Sequence, residues 1–231
     1  MKDIKNYILS YKIKYEQNPL ILFLNNSSLD PYKRLSLAPC LAHFAMSFSD
    51  LNKFIYRNLE QKDMFQEIIN EHTFEDERHA TLFIKDMKQL EYNTPNLFVD
   101  TLQFLWGSDT IKVRQTTFDL ISLLSNRSSF EKYVILESIE NNGHIIFKAL
   151  SYAAEELSLI TGKNYIYFGM HHLNLETGHA LGKKVEFYSE KIENYRPTLS
   201  QKETALYLVD CVYDIFNLFW NNLYDYSNKS T

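Results

Sequence analysis

Apolar residues recur along this chain at intervals of three and four, the repeat of a helix that buries one face. Ile4, Tyr7, Ile8, Tyr11 and Tyr15 form such a stripe over residues 2–16, and Asn18-Pro19 interrupts it. A short apolar piece and the loop Asn25-Asn26-Ser27-Ser28 follow, and Asp30-Pro31 is a suitable cap for the next helix start. Leu41, Phe44, Phe48, Leu51 and Phe54 predict a helix from Pro39 to about Glu60. A longer one runs from Asp63 to Leu90, with Leu82, Phe83 and Met87 on its core side, and ends at Asn93-Thr94-Pro95. Residues 96–106 and 110–125 predict two shorter helices around Gly107-Ser108-Asp109. The stretch 130–160 is a helix stopped by Thr161-Gly162, and 164–195 is another ended by Arg196-Pro197. The last, 201–224, presents Leu206, Leu208, Val212, Ile215, Phe216, Phe219 and Trp220 as a broad apolar surface, suited to bundle core or to the face of a homodimer. The whole pattern predicts an all-α chain of about seven or more helices, folded as a single domain over residues 1–231.

Composition narrows the functions this bundle can have. Six glycines and five prolines agree with long helices, and neither Gly-x-Gly-x-x-Gly nor a Walker loop occurs, against a dinucleotide fold or a nucleotide hydrolase. The net charge of -5 comes from mixed lysine and glutamate without a basic stripe, so no nucleic-acid partner is expected. No apolar run is long enough to span a bilayer, and no signal-peptide core is visible. Cys40 and Cys211 lie far apart without metal or redox spacing. A cytoplasmic protein without a membrane partner is the expectation.

The chemistry-bearing residues fall in three windows of similar spacing. His72, Glu75 and His79 follow i, i+3, i+7, as do Glu137, Glu140 and His144; His172, Glu176 and His179 follow i, i+4, i+7. Seven residues are nearly two helical turns, so each set shares one face. Burying three such faces is costly unless the charges find partners or a metal. Carboxylates that bridge cations, with imidazoles completing the coordination, are how helix bundles hold two irons. The ferritin pattern of Glu-x-x-His is met by Glu176 and His179, while the early helix offers only Asp76 before His79. His43, among apolar neighbours, reads as a core histidine, and His171 points about 100° away from His172.

The last window, His172-x-x-x-Glu176-x-x-His179, resembles the closing motif of the heme-oxygenase-like diiron oxidases and oxygenases, a group related in fold to TenA, PqqC and the chlamydial CADD protein. The resemblance implies a heme-oxygenase-like bundle, two Fe(II) ions and O2 as cosubstrate, with His79 as the early histidine and Glu140 as the middle, bridging carboxylate, Glu137 close behind it. Glu140 and Glu176 are the implied catalytic carboxylates. The early carboxylate departs from the pattern: His72 stands where several relatives have glutamate, so either His72 ligates, or Glu75 or Asp76 supplies the oxygen. His144 is an additional ligand or a partner of one. The implied activity is oxidation of a small amino acid or amine, nitrile formation included, with an external electron donor. Arg78, Lys85, Arg114 and Arg127 are candidates to hold a substrate carboxylate. Alternatives are oxidative decarboxylation of an aliphatic acid, for which a long apolar tunnel would speak, and a TenA-like or non-catalytic ligand-binding bundle.

Overall fold

A computed structural model describes residues 1–179 and 183–229, with the side chains of 175–185 not among those described. The described residues form twelve α-helices, joined by short 3₁₀ and π-helical turns, and contain no strand. They are α1 (Lys2–Tyr15), α2 (Pro19–Leu24), α3 (Pro31–Arg34), α4 (Ala38–Leu51), α5 (Met64–Asp76) and α6 (His79–Gln89) in the first half. The second half holds α7 (Phe98–Trp106), α8 (Ile111–Leu124), α9 (Ser129–Thr161), α10 (Met170–His179), α11 (Lys183–Asn194) and α12 (Leu199–Lys229). The fold is an all-α, single-domain bundle. No described helix is long and apolar enough to cross a membrane.

Helix α9 is the axis of the bundle. Its start is a capping box, the Ser128 hydroxyl bonded to the Glu131 amide and the Glu131 carboxylate to the Ser128 amide. Its end is Gly162 at φ +70, a left-handed conformation that a side chain would disfavour. The 33 residues between span about 50 Å and pack against α12, α10, α5 and α1. Asn18 ahead of Pro19 and Asp30 ahead of Pro31 cap α2 and α3 through side-chain oxygens. Helix α1 is bound to α12 by tyrosines: the Tyr7 and Tyr11 hydroxyls donate to Asp210, and Tyr15 donates to the Tyr213 carbonyl. Arg34, fully buried, pairs with Glu156 of α9.

Two predicted helices differ from the expected bounds. The stretch 63–90 breaks at Glu77-Arg78 into α5 and α6 because outside donors take its carbonyls. Arg57 Nη2 donates to the Thr73 carbonyl at 2.8 Å, and the Ser49 hydroxyl donates to the Glu77 carbonyl at 2.9 Å. The Thr81 amide then bonds Arg78 rather than Glu77, which starts a new helix. The stretch 164–195 begins late, at Met170, because residues 162–169 form a loop held by α6, as described below. Conversely, the helix expected over 39–60 ends at Leu51 and passes into a π-helical turn, Asn52–Tyr56, a local widening of the helix.

Candidate metal centre

Helices α5 and α9 bring three ligand-type side chains together. His72 Nε2 lies 2.7 Å from Asp76 Oδ2, one turn on along α5, and 3.1 Å from Glu140 Oε1 on α9. Their ligand atoms lie within 4.8 Å of one another, a group able to hold one metal ion. Ligands about 2.0–2.2 Å from a single ion are themselves roughly 3–4 Å apart, close to the 2.7 and 3.1 Å found. His72 and Asp76 are buried, and Glu140 is only partly exposed. Burial alone would push the His72 imidazole toward its neutral form, but the Asp76 and Glu140 carboxylates outweigh it and hold its pKa well above the ordinary value.

Two further imidazoles adjoin this group. His79, at the start of α6, sits 3.8 Å from Asp76 Oδ1 through its Nε2, and its ring stacks on Phe48 at a centroid distance of 5.9 Å. His172 Nε2 stands 3.0 Å from His79 Nε2. The other nitrogen of His172, Nδ1, lies 2.8 Å from the Tyr167 carbonyl, an acceptor only, so Nδ1 carries the proton. The lone pair of His172 therefore rests on Nε2, directed at His79, and a ligating histidine whose other nitrogen donates to a carbonyl is the usual arrangement at a metal.

The position of His172 is set from α6 through the loop. Asp86, fully buried, accepts from the Ile166 amide at 2.8 Å and from the Phe168 amide at 2.9 Å. Burial raises the Asp86 pKa, and backbone hydrogen bonds from Phe168, Ile166 and Tyr167 oppose the rise. At Gly169 a Cβ would fall 2.1 Å from the Tyr165 carbonyl oxygen, so only glycine fits where the loop turns into α10. Asp86 and Gly169 escape a search for ligand spacing, since neither ligates. Their signal is a lone acidic residue on the core stripe of a helix and a glycine just before the histidine window.

The predicted residues divide as follows. His72, His79, Glu140 and His172 converge. In the early helix the inward carboxylate is Asp76, four residues after His72; the expected Glu75 is exposed and outside the group, because the roughly 100° turn per residue points it away when Asp76 faces inward. Glu137 stands one turn back on α9, outside the group; burial raises its pKa, and Lys5 opposes the rise. His144 faces a separate hollow with Lys12, Glu16 and Lys148, and burial followed by those lysines lowers its pKa. Glu176 and His179 lie outside the residues whose side chains are described.

A cavity of about 60 Å³ opens on the site. His79, Glu140 and Tyr167 line it at the metal end, and Leu37, Leu150 and Leu223 line it elsewhere. No lysine or arginine is among the described residues that line it. The donor set of imidazoles and carboxylates, without a thiolate, suits iron, zinc or manganese rather than a soft-metal site. No family model matches the chain, and no curated protein matches it either.

Proposed function

We propose that this chain is a non-heme iron-dependent oxidase or oxygenase of the heme-oxygenase-like group, acting on a small organic molecule held in the cavity. The observation that carries the reading is the convergence of His72, Asp76 and Glu140 on one point, with His79 and His172 beside it. His72, Asp76 and Glu140 would hold one iron; His79 and His172, with the Glu176 and His179 that the motif implies, would hold a second. Bound ferrous iron supplies the electrons by which O2 reacts with a closed-shell organic molecule. The chain's own residues do the rest. Tyr167 keeps the His172 proton on Nδ1, and Asp86 holds the loop that carries Tyr167. Phe48 and Phe147 wall the metal end of the cavity against bulk water.

Two substrate classes were expected, an amino acid or amine and an aliphatic acid. The lining does not decide between them: it is mainly apolar, and none of Arg78, Lys85, Arg114 and Arg127 lines the cavity to form the carboxylate clamp that either acid would use. A TenA-like reaction is disfavoured at Cys40: burial, followed by the nearby Asp109, pushes its thiol up to about 12, too high for a nucleophile at neutral pH. The test is anaerobic reconstitution with ferrous iron, iron analysis per chain, and mass spectrometry of products after O2 is admitted to a panel of aliphatic acids, amines and amino acids. At least one tightly held iron per chain is expected, and a chain that takes up none ends the proposal.

A further inference from the structure

Asn142 is fully buried on α9, and neither its amide oxygen nor its amide nitrogen has a hydrogen-bond partner. It lines the same cavity as Glu140 and follows it by two residues, about 3 Å along the helix axis. The Tyr15 hydroxyl directs its proton at the Tyr213 carbonyl and offers only its oxygen toward the amide nitrogen, so the amide oxygen is the group left without a donor. Across the cavity on α12, the buried Trp220 Nε1 is a second donor without a partner. Leaving a buried donor or acceptor unmade costs roughly 1–3 kcal/mol each. A cavity that is mainly apolar away from its metal end and retains both is built for a molecule that brings the missing partners.

We infer that Asn142 and Trp220 recognise a neutral head group that both donates and accepts, a primary amide or an alcohol, on a short apolar chain lying toward Leu150 and Leu223. Charge argues for neutrality. An anionic head would meet Glu140 with no lysine or arginine among the described lining residues, and a desolvated ion without a partner is far more costly than a neutral amide. The head lies beside the metal ligands, so this inference rests on the oxidase reading for the fate of the ligand, although binding does not require the metal.

The test uses the full chain, stripped of metal by chelation, with Trp106 replaced by phenylalanine. Trp106 is exposed and Trp220 is buried in the cavity wall, so Trp106→Phe leaves one emission that reports on the cavity. Hexanamide should shift that emission saturably, with affinity rising about fourfold per methylene from butanamide. It should bind at least tenfold more tightly than hexanoate or hexylammonium. Asn142→Leu should weaken hexanamide about tenfold or more, leave hexane binding unchanged or tighter, and raise the melting temperature, since a buried amide without partners is exchanged for a hydrocarbon. The assignment is overturned if hexane and hexanamide respond alike to Asn142→Leu, or if a charged head binds best. It also falls if the variant is less stable, which marks a structural amide, or if no ligand saturates, which leaves the amide to ordered water only. Iron uptake is measured separately, so a chain that binds hexanamide and no iron fails the oxidase reading alone.

Discussion

The carboxylate of Asp86 touches no candidate ligand, yet two backbone amides of the loop that leads into α10 and His172 depend on it. Asp86→Ala leaves those amides buried without an acceptor. A loss of about 1–3 kcal/mol is expected from chemical denaturation, with iron affinity weakened by tenfold to a hundredfold because His172 is no longer held. His172→Ala should lower iron content by the second ion, keep the ion held by His72, Asp76 and Glu140, and leave the helical circular-dichroism spectrum intact; unchanged iron content would make His172 structural. These residues show how far a single side chain is legible. His72, His79, Glu140 and His172 announce themselves by type and spacing. Asp86 does not, because its partners lie about eighty residues away and are main-chain groups that any sequence could supply. The choice between Glu75 and Asp76 is also invisible locally, since i+3 and i+4 both share a face with His72 on an unbroken helix.

The division of α5 from α6 depends on Ser49 and Arg57 from another part of the chain. Periodicity reports which residues are apolar and cannot report that a remote hydroxyl has taken a carbonyl, so 63–90 reads as one helix and folds as two. Gly169 acts at the same scale. Gly169→Ala would drive its methyl group into the Tyr165 carbonyl oxygen, and a destabilisation of about 1–3 kcal/mol with loss of iron affinity is expected, measured by thermal melting and iron analysis. Asp63 tests the entry to α5. Its carboxylate accepts from the Phe65 and Gln66 amides and from the Ser129 hydroxyl, joining the starts of α5 and α9. Burial alone would raise its pKa, but those hydrogen bonds and one from Gln61 hold it below the usual carboxylate value. A depressed carboxylate contributes stability that is fully present above the unfolded pKa near 3.8 and lost as pH falls through the lower folded value. Asp63→Ala should therefore cost about 1 kcal/mol at neutral pH, and the gap from the wild type should close in denaturant titrations below about pH 4.

Across the whole molecule, the apolar stripes made the all-α class readable, because a helix must bury one face whatever its neighbours. The cavity was not readable, since its residues come from α4, α6, α9 and α12 and the loop before α10, and only their assembly shows that Asn142 and Trp220 face an apolar space. The same assembly has an electrostatic consequence. Asp76 and Glu140 bring two carboxylates to one partly desolvated point beside the His72 imidazole, whose pKa they raise. A divalent cation balances both carboxylates at once and binds only when helices α5 and α9 are in register, so it favours the native state over the unfolded chain. At a free concentration one hundred times its dissociation constant, such an ion stabilises by about 2.7 kcal/mol. For a chain of this length each kcal/mol moves the melting temperature by roughly 2–4 °C. Iron-loaded protein, kept anaerobic, should thus melt about 5–10 °C above the chelated form, and Asp76→Ala should remove most of that difference. Equal melting of loaded and chelated wild type would mean that the convergence of α5 and α9 on His72 is held by the ion pairs alone.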